Sequence, residues 1–220
     1  MHRSALMRLA LGVGVLMMTL ALTGCGSGSA QEEEAKASPL PEPGQTLRPG
    51  EYRSEEFEPL LSFRVGKGWS LDTETSDGLV ILRPNQGMAI VRVEEVYKPG
   101  TQDAVKVPEN LVDWFQDHPY LKVEGLEPIT VGGIEGQQFD FVADVPEGRY
   151  SMCGADCVDA FENSDGSSLV YDEGDKYHAV ILDVKGETVY IESAAPAANF
   201  DKAMGPEAQK VVDTIEWKSS

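Results

Sequence analysis

Basic side chains, histidines and cysteines are all scarce in this chain. Its 220 residues hold 18 Lys and Arg against 37 Asp and Glu, a formal charge of −19. Binding a polyanion requires a basic patch that displaces counterions from phosphate, so nucleic acid is disfavoured as a partner class. There are three histidines, at positions 2, 118 and 178, and three cysteines, at 25, 153 and 157. The chain has no Walker loop, no Gly-x-Gly-x-x-Gly, no His-Glu-x-x-His and no Gly-x-Ser-x-Gly elbow, so no sequence motif points to nucleotide, zinc or nucleophilic-serine chemistry. Beyond residue 25 no apolar run approaches the ~18 residues expected of a membrane-spanning helix.

What is present begins at the N-terminus. Arg3 and Arg8 precede an uncharged stretch from Leu9 to Leu22 rich in Leu, Val and Met, the n-region and h-region of an export signal. That stretch is shorter than the ~20 residues needed to cross ~30 Å of hydrocarbon. It closes on Leu22-Thr23-Gly24-Cys25, which resembles the lipobox of bacterial lipoproteins. The plainer alternative is an ordinary cleaved signal with a chance cysteine. The resemblance implies a diacylglyceryl thioether on Cys25, removal of residues 1–24, and a protein lipid-anchored at the extracytoplasmic side of the cell membrane, since two or more acyl chains suffice for stable anchoring.

Residues 26–50 carry Gly-Ser repeats, the run Glu32-Glu33-Glu34, and prolines at 39, 41, 43 and 49. Such composition buries too little apolar area to offset ordering entropy, so a flexible tether over 25–50 is expected, followed by one domain over 51–220. Loss of residues 1–24 takes away two arginines and no acid, moving the charge from −19 to −21. Two readings of this acidity remain open: capture of a cationic ligand or basic protein partner, and simple solubility through self-repulsion. Cys153 and Cys157, outside the cytoplasm and four positions apart, are expected to form a disulfide that staples a turn. The spacing is Cys-x-x-x-Cys rather than the Cys-x-x-Cys of a thioredoxin-like pair, and a zinc site would lack two further ligands at suitable spacing, so no metal and no cofactor are expected.

Within the domain, Leu61, Phe63 and Val65 alternate with polar residues, with Trp69 and Leu71 following across Gly66-Lys67-Gly68, a strand or hairpin. Asp72 to Gly78 reads as a turn, and Leu79 to Leu82 and Met88 to Tyr97 as strands. Pro108, then Leu111, Trp114, Phe115 and His118 at helical spacing before Pro119, predict an amphipathic helix lying on the sheet. Gly132-Gly133 joins two strands as a two-residue hairpin turn. Tyr177–Val184 and Glu187–Ser193 around Lys185-Gly186 predict a hairpin pairing Leu182 with Val189, Val180 with Ile191, Ile181 with Tyr190 and Ala179 with Glu192. Both faces of this hairpin are partly apolar, so cover on both sides is expected. Gly205-Pro206 opens a final helix with Ala208, Val211, Val212 and Ile215 on one face.

This order of elements, with Phe63-Arg64-Val65, Gly68-Trp69 and the terminal Asp213-Thr214-Ile215-Glu216-Trp217, resembles the PsbP-like fold over residues 57–217. The resemblance implies an α+β domain, a small antiparallel sheet with helices packed on it, and a binding or accessory module more often than an enzyme.

Candidate chemistry is thin. His118 at a helix end suits the helix dipole, and His178 sits near a strand start on the aliphatic face. The carboxylates and amide around Glu162-Asn163-Ser164-Asp165-Gly166 and Asp172-Glu173-Gly174-Asp175 lack the calcium-loop spacing and are standard turn residues. No catalytic residue is assigned. The expected role is a non-enzymatic binding or accessory module for a protein or small ligand; an envelope hydrolase using His118 or His178, and a structural envelope component, are the alternatives.

Overall fold

The computed structural model describes residues 37–101, 103–146, 153–154, 156–162 and 168–218. The lipobox and Cys25 lie outside the described residues, as do Asn163, Asp165 and Gly166.

The architecture is dominated by strands in three sheets. A seven-stranded antiparallel sheet forms the centre, in the order β4 (Ser70–Glu74), β5 (Gly78–Arg83), β6 (Gln86–Arg92), β14 (Glu187–Pro196), β13 (Asp175–Val184), β10 (Ile134–Ala143) and β9 (Leu121–Val131). A four-stranded sheet joins β1 (Ser38–Pro39), β2 (Gly50–Arg53), β3 (Leu61–Val65) and β15 (Glu216–Trp217). A second four-stranded sheet runs β12 (Ser168–Asp172), β11 (Cys157–Glu162), β7 (Glu95–Tyr97) and β8 (Ala104–Lys106).

The expected α+β picture, helices packed on a small sheet, is overturned by this arrangement. The helix expected from Pro108 is only α1 (Leu111–Asp117), capped by the Asn110 side chain on the Val112 N–H. The C-terminal helical run is short too: α2 (Ala197–Asn199), a π-helical turn at Phe200–Met204 and α3 (Gly205–Val212). Much of the cover that helices were expected to give comes from the two smaller sheets. The reason lies in segments of few residues, such as Glu95–Tyr97 and Ala104–Lys106, whose period-2 signal is too brief to read. Met88 to Tyr97, expected as one strand, divides at Val93-Glu94 and passes from the central sheet to the third.

Successive side chains of a strand face opposite ways, and the central sheet is apolar on both. On one face Met88, Ile90, Val180, Leu182, Val189 and Ile191 meet Phe63, Trp69, Phe200, Ala208, Val211 and Val212. On the other Val91, Phe139, Phe141, Ala179 and Tyr190 meet Phe115 of α1 and Phe161 and Tyr171 of the third sheet. The β13–β14 register pairs Leu182 with Val189, Val180 with Ile191, Ile181 with Tyr190 and Ala179 with Glu192, as the alternation requires. The β9–β10 hairpin turns on Gly132 and Gly133, both at positive φ.

Packed structure also begins earlier than residue 51. Leu47 is 1% exposed and its N–H bonds the Trp69 carbonyl at 2.8 Å, while Ser38–Pro39 pairs in parallel with β2. One leucine in a proline-rich stretch leaves mean composition polar, yet fills a slot in the core.

Candidate functional site

Register builds the polar centres. In the β10–β13 ladder Asp140 lies opposite His178, and in β13–β14 His178 lies opposite Ser193. His178 Nδ1 is 2.7 Å from Asp140 Oδ1. Lys176, two residues before His178 and on the same face, bonds the other Asp140 oxygen at 2.9 Å and Asp201 of the π-helical turn at 2.8 Å, with its ammonium over the Phe200 ring. Hydrogen bonding from His178 and then Lys176 holds the Asp140 carboxyl below its ordinary range, against partial burial. This gives the order carboxylate, imidazole, hydroxyl. Ser193 is only 3% exposed, and the hollow it shares with His178 measures about 10 Å³. No substrate fits there.

On the opposite face Glu192 is 6% exposed among aromatic rings. Tyr190 donates to it at 2.8 Å, and Tyr171 donates to Tyr190 at 3.0 Å. Burial pushes the Glu192 carboxyl up to about 7, and pushes the Tyr190 and Tyr171 hydroxyls well above their usual range. This chain is enclosed.

Open space lies elsewhere, over the end of the central sheet nearest the β13–β14 turn. One groove of about 650 Å³ runs between the start of α1 and the exposed ends of β9, β10 and β13, over Leu111, Val112 and Ile181, with Glu109, Glu135 and Asp183 as its charged residues. A second, of about 720 Å³, lies beside the β6–β7 crossover and carries Asp77, Glu94, Glu95, Glu162 and Glu187 against Arg92 and Lys106. Thr188 lines both. Arg92 is itself paired with Glu94 at 2.8 Å.

His118 caps the end of α1, 3% exposed, and its Nδ1 accepts from the Tyr120 N–H at 3.2 Å. Its ring lies against Trp114 and Tyr120, which pack on the core around Phe115, whereas His178 lines a hollow with Val180 and Ile191 on the other face of the sheet. Cys153 and Cys157 form a disulfide with Cα atoms 6.1 Å apart. Asp172 and Asp175 flank the β12–β13 turn, where Gly174 has φ +94°. Among the described residues no group of three His, Cys, Asp or Glu is placed to hold a metal, and no helix is long and apolar enough to cross a membrane.

Sequence reasoning missed Asp140, Ser193 and the Glu192 chain. The signals existed: Asp140 lies between Phe139 and Phe141 and so on the opposite face of the strand from them, and Glu192 is the one acid in the interior of an apolar strand.

No family model matches the chain, and no curated protein matches it. Its fold is similar to that of a crystal structure from Bacteroides thetaiotaomicron VPI-5482 at 10% identity and a TM-score of 0.35, over 73% of this chain and 46% of that one, so the chain spans less than half of that protein. It is also similar to the solution structure of cyanobacterial PsbP (CyanoP) from Synechocystis sp. PCC 6803, at 8% identity and a TM-score of 0.44, over 81% of this chain and 99% of that one. Likenesses at these TM-scores decide neither the fold nor the function of this chain.

Proposed function

We propose that the protein is a lipid-anchored extracytoplasmic binding module, tethered to the cell membrane through Cys25, that takes a cationic ligand, a Lys- or Arg-rich peptide segment, in its two acidic grooves. The observation that carries this reading is the composition of those grooves: eight carboxylates, at positions 77, 94, 95, 109, 135, 162, 183 and 187, against Arg92 and Lys106. Volumes of about 650 and 720 Å³ fall in the range of ligand pockets. The aliphatic floor at Leu111, Val112 and Ile181 suits the methylene stems of Lys and Arg, whose charged ends would reach the acidic rim. An excess of one charge sign in a concave, partly desolvated surface raises the encounter rate of an opposite charge and rejects a like one.

The described residues lend the hydrolase alternative less support. His178 turns a buried nitrogen toward a hollow of about 10 Å³, and His118 is enclosed beside Trp114. Neither ring serves either groove.

The test is titration of the full chain with a Lys-rich peptide and with a Glu-rich peptide of equal length, followed by amide NMR shifts. The Lys-rich peptide is expected to move residues around Glu135 and Glu187 selectively, more weakly as salt rises. Glu135→Lys with Glu187→Lys, both at exposed positions, is expected to weaken binding about tenfold or more. Equal response to the acidic peptide overturns the reading; response to neither favours a structural envelope role.

A further inference from the structure

We propose that one internal water molecule is a fixed part of this fold, bound between His178 Nε2 and Ser193 Oγ beneath α3. Both atoms are fully buried, and neither has a hydrogen-bond partner among the described residues. They arise from facing positions of β13 and β14, so their Cβ atoms are about 4.5–5.5 Å apart on one side of the sheet. Both line the same hollow of about 10 Å³, roofed by Ala208, Gln209 and Val212 of α3. A void of that size accommodates about one water, and a water is held where a small site offers two or more polar partners. Apolar neighbours such as Met88, Val180 and Ile191 line the rest of the hollow.

The proton arrangement follows from the outer end. Asp140 is held ionised by His178 and Lys176, and a carboxylate only accepts, so His178 Nδ1 carries the proton shared at 2.7 Å. Nε2 accepts in the neutral ring and donates in the imidazolium, and a water, which can both donate and accept, serves either form; its second bond goes to the Ser193 hydroxyl, which donates or accepts as needed. The result is a continuous polar line from Lys176 and Asp140 at the surface, through His178 and the water, to Ser193 under the helix. It fixes the tautomer and the orientation of the ring, and it explains why a serine stands in a row otherwise filled by Val189, Ile191 and Ala195.

A high-resolution crystal structure of the full chain and solution NMR of the same protein test this. The expected result is density for one atom within about 3 Å of both Nε2 and Oγ, a nuclear Overhauser effect from water to the His178 ring, and a ring protonated at Nδ1 with its Nε2 resonance displaced from that of an unbonded acceptor nitrogen. A direct Nε2 to Oγ bond with the hollow closed, a hollow without density, or a ring protonated at Nε2 alone each overturns the proposal.

Discussion

Tyr190 donates a hydrogen bond of 2.8 Å to Glu192, two residues along the same strand, and both side chains are sealed within the aromatic core. A carboxyl so placed favours its neutral form, because burial disfavours charge more than one hydrogen bond restores it.

Stability should therefore fall with rising pH over a defined window. Below the ordinary value of 4.5 Glu192 is protonated in both folded and unfolded chains. Between there and about 7 the unfolded chain releases the proton and the folded one keeps it, so stability declines by about 3 kcal/mol across the window and is level above it. Glu192→Gln mimics the neutral form and is expected to remove this part of the slope, making the variant more stable than the parent near neutral pH. Urea unfolding of both proteins across the window checks it; parallel curves would refute the assignment.

Phe115 is fully buried and is in ring contact with Trp114, Phe139, Phe141, Phe161, Tyr171 and Tyr190. It joins α1 to both sheets of that core. Phe115→Ala is expected to cost about 3–5 kcal/mol, together with a loss of near-ultraviolet circular dichroism from the aromatic cluster. A cost below about 1 kcal/mol would mean that α1 is peripheral.

The contrast between hairpins and cover shows what the sequence could express. The β13–β14 register was legible because the two-residue turn at Lys185-Gly186 fixes which residues face each other along both strands. The third sheet was not, because its strands are short and meet only through contacts distant in sequence, such as Phe161 with Val96. His178 was legible singly but its pairing with Asp140 was not, since 38 positions separate them and only the β10–β13 register brings them to 2.7 Å. The grooves were the least legible feature. Total acidity announced an excess of carboxylates, while their gathering near Thr188 depends on segments distant in sequence meeting at one end of the sheet.

Gly136 and Gly133 should respond differently to the same substitution. A Cβ on Gly136 would fall 2.2 Å from the Ile181 carbonyl oxygen and 2.5 Å from Leu182 Cδ2, both in the adjoining strand, whereas Gly133, with φ +83°, has nothing within 4 Å. Gly136→Ala must move backbone and is expected to cost about 3 kcal/mol or more. Gly133→Ala meets only the left-handed penalty of about 1–2 kcal/mol. Denaturation of the two variants side by side decides it, and equal costs would contradict the β10–β13 contact.

Reduction of the Cys153–Cys157 bond should weaken the domain without unfolding it. The ring spans a sequence separation of 4, and loop-closure entropy for so small a ring amounts to about 2 kcal/mol, against a typical domain stability of about 5–15. The expected outcome is a melting temperature lower by several degrees in reductant, matched by Cys153→Ser with Cys157→Ser, and an unchanged folded spectrum at room temperature. Complete unfolding on reduction would show that the staple fixes more than its own turn.

Cys25→Ala tests the address on which the proposed role depends. If Cys25 carries the acyl chains, its replacement removes the thioether acceptor, and what remains is an apolar stretch shorter than the ~20 residues of a spanning helix. Each buried methylene of an acyl chain contributes about 0.8 kcal/mol to membrane retention, and one chain alone binds only marginally. The variant is therefore expected either to leave the membrane fraction or to persist as an uncleaved precursor, while the parent partitions into detergent and yields a lipid-modified N-terminal peptide by mass spectrometry. A parent protein whose first residue lies elsewhere and bears no lipid would remove the anchor, and the grooves would then have to be tested as those of a freely diffusing protein.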